Sequence, residues 1–357
     1  MTGADQAPVL WTVTLPDTTL PESLFAFAIC AAFVWFAGAR LAYLADTLSD
    51  RFNLAKSIVG LLFLSLATSL PEVATTLSAA VQQAQELVLN NLFGGIALQT
   101  AVLAMSDFWA RGAITNYPRK ANHALEAVLL VLLLSITLIV LNLNEPFAAF
   151  GVGAGSAFIA LVYIAAIWVL RQYDDASDWV PVDLPDPEPL PFPAPTGLTG
   201  ATNTLLFWQA AIACLIILGF GMALVLFAER IALQSGLGTG FIGVTLLATA
   251  TSLPELTTTI TAVRIGAYTM AISNIFGSNL IMLVLVFPAD ILFRGGPILR
   301  DASQTVTLSL MFGIAVTALF LIGLIVRRKP RLGTLGLDSL FVLLTFAGSL
   351  VAYYAIR

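Results

Sequence analysis

The sequence predicts an all-α membrane protein with ten transmembrane helices, arranged as two inverted-topology repeats of five helices each. Composition is the first observation: 59% of the 357 residues are apolar and only 10% are charged, whereas a soluble protein carries about 25% charged residues. The second is a set of ten apolar stretches, each close to the roughly 20 residues that cross a bilayer as a helix. The third is a match of the first half of the chain to the second half, without gaps.

Each apolar stretch is predicted to be a helix, because an open strand would leave backbone groups unpaired in lipid. The ends of the predicted helices carry an error of about 2–4 residues. The predicted spans lie at approximately 24–44, 57–80, 87–105, 124–143, 147–170, 204–227, 240–263, 270–288, 306–326 and 339–356.

The basic residues predict the orientation through the positive-inside rule. The side of the membrane opposite the N-terminus receives 11 Lys and Arg residues and the N-terminal side receives 4, with Arg40 inside the first span. The former side is therefore expected to be cytoplasmic, in a plasma or inner membrane, with both termini outside. Residues 1–23 would form an extracellular or periplasmic segment, and they lack the positive region of a signal peptide.

The segment 171–203 separates the first repeat, 24–170, from the second, 204–357, and contains six acidic residues and seven prolines. Prolines at alternate positions force extended backbone, and the acids repel one another. We interpret the segment as a solvated cytoplasmic tether. A low-affinity cation-sensing segment is the alternative, but no spacing typical of an EF-hand loop is present.

The internal repeat is the strongest signal in the sequence. Residues 67–72 and 250–255 both read Ala-Thr-Ser-Leu-Pro-Glu, and further matches follow in the same register. Two residues that align in this register are called repeat equivalents. Because each repeat holds an odd number of predicted spans, the second must be upside down relative to the first. Many secondary transporters have this architecture, in which two similar folds of opposite orientation support alternating access.

Glu72 and Glu255 are the central candidates for function, since each is predicted to lie in the middle of a span. A charged carboxylate costs at least about 2.5–3.5 kcal/mol at the bilayer centre, and acids inside a membrane are functional by default. The alternative is a pair of protonated acids that only hold helices together. Pro71 and Pro254 precede them, and proline kinks a helix and frees a carbonyl, as is common at midplane cation sites.

Oxygen-bearing side chains are predicted to surround both carboxylates. Hydroxyls three and four positions from each glutamate share its helix face, and such hard ligands suit Ca²⁺, Mg²⁺ or Na⁺. Asn91, Asn274 and Asn279 would line the site or hold the kinked helices, and Gln99 faces the same region. The predicted hydroxyls are Thr68, Ser69, Thr75, Thr76, Thr251, Ser252, Thr258 and Thr259.

At these motifs the chain resembles the cation/calcium exchanger superfamily, which contains the sodium/calcium exchangers. The two repeats of that superfamily carry Gly-Thr-Ser-x-Pro-Glu followed by Gly-Asn-x-x-Gly-Ser-Asn. The second element is close in residues 273–279 and degraded in residues 90–96. The resemblance covers about 38–112 and 221–295. It implies a central cation site with Glu72 and Glu255 as main ligands, and the surrounding ligands it implies are Thr68, Ser69, Thr251, Ser252 and Ser278.

The chain also departs from the pattern of that superfamily. Gly95 replaces the serine of the first repeat, and Gln99 and Met282 stand where sodium-coupled members have Asn or Asp. A thioether does not bind a hard cation, so these departures argue against a site for several sodium ions. The Gly-Asn-x-x-Glu element of the proton-coupled branch is absent as well.

Charge counting predicts exchange of ions at this site. Two carboxylates are neutralised by one divalent cation, two monovalent cations or two protons, and the empty charged site cannot cross cheaply. We therefore predict a secondary-active cation antiporter that exchanges a cation, with Ca²⁺ as first candidate, for H⁺ or Na⁺, and we favour H⁺. The cation would bind transiently, and no cofactor is expected.

The expected partners are inorganic cations and the lipid bilayer, while the oligomeric state stays open. Nucleic acid is not expected, because the net charge is −5 and phosphate binding needs clustered basic residues. A cation channel and a non-transporting cation sensor are the alternative functions. An enzyme is not expected, because the single histidine, His123, is predicted to lie at the membrane interface and has no catalytic motif around it.

Overall fold

The computed structural model of the protein describes residues 18–118, 120–175, 198, 200–235, 246, 248–326, 331–333 and 335–355. The described chain is mostly helical, as the sequence predicts. Most of the predicted segments 1–23 and 171–203 lie outside these residues. The helices are α1 (Leu20–Phe52), α2 (Lys56–Thr68), α3 (Leu70–Val81), α4 (Gln85–Met105), α5 (Asn122–Asn142), α6 (Ala154–Asp175), α7 (Asn203–Gln234), α8 (Leu253–Arg264), α9 (Tyr268–Val284), α10 (Val286–Leu292), α11 (Gln304–Ile325) and α12 (Leu337–Ala355).

Eight helical segments of the described chain are long and apolar enough to cross a membrane. The bent pair α2 and α3 raises that number to as many as nine. Much of the predicted seventh span, 240–263, lies outside the described residues, and α8 is the part that follows its break. The prediction of a multi-pass helical protein is confirmed at this level, while the count of ten spans stays a prediction.

The helix boundaries repeat in the register found in the sequence. Helices α1 and α7 begin at repeat equivalents, as do α4 and α9, while α3 and α8 both begin and end at repeat equivalents. Two short hairpins follow the same rule. Strands β1 (Ala148–Ala149) and β2 (Val152–Gly153) pair before α6, and β3 (Arg331–Leu332) and β4 (Leu335–Gly336) pair before α12.

Helices α4 and α9 are the most enclosed spans, whereas α1, α6, α7 and α12 are largely exposed. The exposed faces of α1 and α7 carry large apolar side chains such as Phe36, at 73% exposure, and Leu215, at 68%. Such a surface would be unfavourable in water but suits contact with lipid tails. The core of the protein therefore lies around α4 and α9.

Helices α1 and α7 lie against each other in opposite directions. Gln234 near the end of α7 donates to the carbonyl oxygen of Thr18 at 2.5 Å, while Arg51 near the end of α1 donates to Asn203 at 2.9 Å. Between these ends the rings of Phe33 and Phe220 stack at 4.4 Å. Equivalent helices of the two halves are thus antiparallel where they meet.

Close approaches at glycine join α2 to α9. A Cβ atom on Gly60 would lie 2.5 Å from the carbonyl oxygen of Met270, and a Cβ atom on Gly277 would overlap the carbonyl oxygen of Leu61. A Cβ atom on Gly94, the repeat equivalent of Gly277, would meet no atom within 4 Å. The second half therefore packs more tightly at this point than the first.

Asp290 fastens the first hairpin to the second half of the chain. Its carboxylate is fully buried and accepts hydrogen bonds from the backbone N–H of Gly153 at 2.8 Å and of Ile298 at 2.7 Å. The Ser156 hydroxyl adds a third bond at 2.5 Å. Buried backbone donors need such partners, so Asp290 stabilises the turn into α6.

Asp107 does the same for the second hairpin. Its buried carboxylate accepts from the backbone N–H of Ile114 at 2.9 Å and of Gly336 at 3.1 Å. Gly336 is the repeat equivalent of Gly153, and Asp290 is that of Asp107. Each half therefore holds the hairpin of the other half through an equivalent aspartate.

His123 lies in the first turn of α5, and its side chain is buried against other helices, at 3% exposure. His123 Nδ1 lies 2.9 Å from a carboxylate oxygen of Glu126 and 3.1 Å from the Ser273 hydroxyl. Ser273 also donates to Glu126 at 2.6 Å. These three residues join α5 to α9, a contact that depends on tertiary packing.

Candidate cation site

Two breaks in the helices position the candidate carboxylates. Helices α2 and α3 meet at an angle of 50°, and Ser69 between them has φ −81° and ψ 5°. Ser252, which precedes α8, has nearly the same backbone angles, φ −85° and ψ 4°. A proline follows each serine by two residues, so the helix cannot continue its hydrogen bonding through the break. The predicted kink at Pro71 is thus present in the structure.

Glu72 and Glu255 both lie in the first turn of the helix that follows a break. The free N–H groups and the dipole at a helix N-terminus favour a negative charge there. Both side chains are buried, with 2% exposure for Glu72 and none for Glu255. Ser69, three residues before Glu72 in the chain, donates to a carboxylate oxygen of Glu255 at 3.1 Å, so the two breaks meet in the structure.

Glu255 is held by hydroxyl groups from other elements. One of its oxygens, Oε1, accepts hydrogen bonds from Ser69 and Ser278, both at 3.1 Å. The two serine hydroxyls also bond to each other, and the Thr68 hydroxyl is within reach of the carboxylate. The other oxygen, Oε2, has no hydrogen-bond partner among the described residues.

Glu72 has a different environment, because neither of its carboxylate oxygens accepts a hydrogen bond from a hydroxyl, amide or backbone N–H group in the described part of the chain. Ser252, the repeat equivalent of Ser69, is buried and its hydroxyl is unpartnered there too. Both amide atoms of the buried Gln99 are likewise without partners. Buried polar groups normally find partners, so these atoms are available to a ligand.

Two asparagines bind threonines one turn away from the carboxylates. Asn91 on α4 donates to the Thr76 hydroxyl at 3.1 Å. Asn274 on α9 donates to Thr258 at 3.2 Å and to Thr259 at 3.4 Å. These bonds fix how α4 packs on α3 and how α9 packs on α8, in the same register in both halves.

The structure brings most of the predicted site residues together in one region. Glu255, Ser69 and Ser278 are joined directly by hydrogen bonds, with Glu72 and Thr68 beside them. The remaining predicted residues, apart from the partly buried Asn91, are buried in the adjoining helices or next to the break: Gln99, Asn274, Thr251 and Ser252.

The predicted stripe of hydroxyls around each glutamate is only partly present. Thr75 donates to the backbone carbonyls of Pro71 and Glu72, at 2.9 and 3.0 Å, and Thr258 makes the same bonds in α8. Short hydroxyl side chains often bond to their own helix in this way. These threonines therefore support the helices instead of facing the carboxylates.

Two contacts escape prediction from the sequence. Ser69 bonds to the glutamate of the other half, although helical spacing assigns it to Glu72. Thr100 accepts a hydrogen bond from Asn279 at 3.2 Å and so joins α4 to α9. The repeat carries no signal for Thr100, because a leucine, Leu283, stands at the equivalent position.

The candidate ligand atoms of the site are all oxygen atoms. Among the described residues, no group of three or more acidic, histidine or cysteine side chains that could hold a metal ion is present. The two carboxylates, the serine hydroxyls and the Gln99 amide oxygen are ligands that suit hard cations. The region can therefore accept positive charge that compensates two buried acids.

Comparison with family models identifies one family. The family model described as "Sodium/calcium exchanger protein" matches residues 22–171 and 205–355. The chain is 25% identical over 334 residues to a protein of Alkalimonas amylolytica that carries the name antiporter CaxA, covering 92% of this chain and 97% of that protein. It is 26% identical over 315 residues to the inner membrane protein YrbG of Escherichia coli K12, covering 84% and 87%.

Solved structures of the sodium-calcium exchanger NCX_Mj have a similar fold. In crystals soaked with 2.5 mM Na⁺ and 10 mM Sr²⁺, the match has a TM-score of 0.70 at 16% identity and covers 93% of this chain and 99% of that one. In crystals soaked with 10 mM Na⁺ and no Ca²⁺, it has a TM-score of 0.68 at 17% identity and covers 95% and 100%. At these identities the likeness concerns the fold alone.

Proposed function

Because the chain belongs to the sodium/calcium exchanger family, we propose that it is a secondary-active cation antiporter with Glu72 and Glu255 at its transport site. The cation and the counter-ion would compete for the two carboxylates. Alternating access would expose the site first to one side of the membrane and then to the other. The transported ions are cargo, and the mechanism uses no cofactor.

One observation carries this proposal: two carboxyl groups from the two halves lie buried and close to each other. Two adjacent charges in a buried site are costly unless positive charge compensates them. The described spans around them contribute no Lys or Arg contact to either carboxylate. A divalent cation or two protons would compensate the charge, and exchange of one for the other follows.

Residues around the glutamates would supply the rest of the coordination. Ser69 and Ser278 already contact Glu255, while Gln99 and Ser252 have unpartnered oxygens. Thr68 and Thr251 donate to carbonyls three residues before them, at 3.2 and 3.1 Å, and their oxygens remain able to bind a cation. This all-oxygen set makes Ca²⁺ the first candidate.

The proposed architecture is ten spans in two inverted halves, with both termini outside and the segment 171–203 in the cytoplasm. The repeated helix boundaries and the antiparallel pair of α1 and α7 support inversion. The predicted seventh span, residues 240–263, would bring the number of spans to ten, and α8 is the second half of that span. The distribution of basic residues supports the orientation.

We propose H⁺ as the counter-ion in preference to Na⁺. Met282 is fully buried on α9 and is the repeat equivalent of Gln99. It supplies a thioether where an oxygen ligand would be needed for a further sodium ion. Protons need no such ligand, because they bind to the carboxylates themselves.

The test is flux of ⁴⁵Ca²⁺ into proteoliposomes that contain the purified full-length chain, with imposed gradients of pH or Na⁺ and with Mg²⁺, Na⁺ or K⁺ as competitors. We expect uptake driven by a pH gradient. In Glu72→Gln and Glu255→Gln, uptake should fall on the order of 100-fold, because removal of one partner from a buried charged site costs about 3 kcal/mol or more. Glu22→Gln at the exposed start of α1 is the matched control.

Three outcomes would contradict the proposal. Flux that ignores both gradients would indicate a channel, and Ca²⁺ binding without flux would indicate a sensor. Full activity of Glu255→Gln would exclude the assigned site. Uptake driven by Na⁺ but not by pH would keep the antiporter and correct the counter-ion.

A further inference from the structure

One arginine lies inside a membrane-spanning helix without an acidic partner. Arg40 on α1 is half-buried and donates to the amide oxygen of Gln209 on α7 at 2.6 Å, but it forms no ion pair with a described residue. Lys56, by contrast, pairs with the carboxylate of Asp46. A neutral amide leaves the charge of Arg40 uncompensated, and such a charge is costly within a membrane span. The guanidinium also keeps further N–H donors for an anionic ligand.

The pair of Arg40 and Gln209 lies near the end of α1 and the start of α7. Arg51 in the last turn of α1 donates to Asn203, the first residue of α7, and Gln209 lies only about 9 Å further along α7. Trp208, next to Gln209, is 65% exposed, and tryptophan is enriched where lipid headgroups meet the hydrocarbon layer. The long stem of an arginine carries its charged end to the headgroups from such a level.

An apolar groove between α1 and α7 continues from this pair. Its volume is about 330 Å³, and its walls include Cys30 of α1 together with Ile212, Gly219 and Phe220 of α7. Ile212 lies one helical turn after Gln209, on the same face of α7, and is 53% exposed. A Cβ atom on Gly219 would meet no atom within 4 Å, so the groove is open at this glycine. The arginine therefore stands at one end of an apolar, lipid-facing groove.

The length of the groove matches one leaflet of a bilayer. Its walls on α7 run from Ile212 to Ala223, about 17 Å at 1.5 Å per residue. Half of the roughly 30 Å hydrocarbon layer is about 15 Å. The repeat equivalents of Arg40 and Gln209 are Ala223 and Ala26, so the repeat does not place a second arginine at the other end of the helix pair. The charge thus marks one end of the groove.

We propose that α1 and α7 bind one anionic phospholipid, with its phosphate on Arg40 and one acyl chain in the groove. A guanidinium can donate two parallel hydrogen bonds to a phosphate. Charge complementarity favours an anionic headgroup over a zwitterionic one, whose own cation already balances the phosphate. The bound lipid would contact both halves of the protein and hold α1 and α7 together. None of these residues belongs to the candidate cation site, so the inference does not depend on the proposed antiport.

The test is native mass spectrometry of the purified full-length protein in detergent, titrated with phosphatidylglycerol or with phosphatidylcholine of the same acyl chains. We expect one phosphatidylglycerol to bind about tenfold more tightly than phosphatidylcholine, the effect of a hydrogen-bonded charge. Arg40→Gln should weaken phosphatidylglycerol binding about tenfold for the same reason and remove the preference between the two lipids. Gly219→Leu fills the groove and should weaken the binding of both lipids.

Two variants serve as matched controls. Arg264→Gln removes an exposed arginine at the end of α8, away from the groove. Gly348→Leu adds a leucine at an exposed glycine of α12, where a Cβ atom also meets nothing within 4 Å. Neither control should weaken lipid binding. Thermal unfolding without added lipid shows which variants are folded, and Gly219→Leu tests the groove even where Arg40→Gln does not fold.

The inference is overturned if the wild type does not distinguish the two lipids, or if folded Arg40→Gln or Gly219→Leu binds phosphatidylglycerol as the wild type does. An equal loss in Arg264→Gln would also overturn it, since the lipid would then bind to basic residues in general. A dimer that binds no lipid would show that a second copy of the chain covers the groove instead. Each of these results would leave the proposed antiport function standing.

Discussion

The two halves of the protein share a backbone plan but differ in the ligands that they present. Both contain a break before a Pro-Glu pair, an asparagine that binds a threonine one turn away, and a hairpin held by an aspartate of the other half. Around the glutamates the equivalence ends: Glu255 accepts two serine hydroxyls, and Glu72 accepts none from the described residues.

This difference teaches that symmetry is retained where the backbone must be held and lost where ions would bind. An inverted repeat needs similar helix breaks and hairpin contacts in both halves, here called the frame. Similar frames give the two opposite conformations similar energies. It does not need identical ligands, because the bound ion contacts both halves at once. Substitutions of the two aspartates that hold the hairpins should therefore have similar effects, whereas equivalent substitutions at the site should have unequal effects.

The largest expected effect comes from breaking the shared frame at the aspartates. Asp290→Ala leaves two buried backbone N–H groups without their acceptor, while the Ser156 hydroxyl keeps the carbonyl oxygen of Gly153. Each backbone group that loses its acceptor costs about 1–3 kcal/mol, so we expect a loss of about 2 kcal/mol or more in the free energy of unfolding. Asp107→Ala, which removes the acceptor of two backbone N–H groups, should cost about 2 kcal/mol or more.

Thermal unfolding of the purified protein in detergent measures both losses, and Asp290→Asn is the control that keeps one acceptor oxygen. Equal stability of the wild type and Asp290→Ala would show that the hairpin does not depend on this carboxylate. A far larger loss for Asp107→Ala than for Asp290→Ala would contradict the equivalence of the two frames.

The next effect sharpens the comparison at the site. Ser69→Ala removes a hydroxyl that bonds to Glu255, whereas Ser252→Ala removes the equivalent hydroxyl, which has no partner among the described residues. A hydrogen bond to a charged group is worth about 1.5–3 kcal/mol, so Ser69→Ala should raise the half-saturating Ca²⁺ concentration of transport about tenfold or more. Ser252→Ala should have a smaller effect, and equal effects would argue against the asymmetry.

A feature of this site is predictable from the sequence when residues that are neighbours in the sequence determine it. The Pro-Glu pairs lie in the sequence itself, so the breaks before Glu72 and Glu255 and the burial of both follow from local patterns and from the repeat. The partner of Ser69 does not, because it depends on where the two breaks meet in space. The same holds for Asp107, whose bond to Gly336 joins positions far apart in the chain.

A third prediction concerns the close packing at Gly277. Its Cβ would overlap the backbone oxygen of Leu61 on α2, whereas the Cβ of the equivalent Gly94 would meet nothing within 4 Å. Overpacking costs about 1–3 kcal/mol, so Gly277→Ala should lower the thermal unfolding midpoint. Gly94→Ala should leave it unchanged or raise it, since alanine is the better helix former by up to about 1 kcal/mol. A similar loss for both would mean that the halves pack alike.

The smallest expected effect is a pH dependence of stability that arises at the first hairpin from an acid without an acidic repeat equivalent. Glu145 lies between α5 and β1, is 2% exposed, and accepts from the backbone N–H groups of Gly155 at 2.9 Å and Ser156 at 3.2 Å. Its repeat equivalent is an arginine, Arg328, which lies outside the described residues. Burial raises the pKa of Glu145 above its ordinary value of 4.5, and the nearby Asp290 charge raises it further, while hydrogen bonds from backbone N–H groups lower it by less.

A carboxyl group whose pKa is higher in the folded than in the unfolded chain stabilises the fold below its ordinary pKa, and this contribution is lost as pH rises through the folded pKa. Glu145 should therefore make the unfolding midpoint fall as pH is raised from about 4 towards neutrality. Glu145→Gln keeps an oxygen that accepts from the two N–H groups but does not titrate, so the fall should be smaller in this variant. Thermal unfolding of both proteins across this pH range measures the difference. If the fall is the same in the two proteins, it arises from groups other than Glu145.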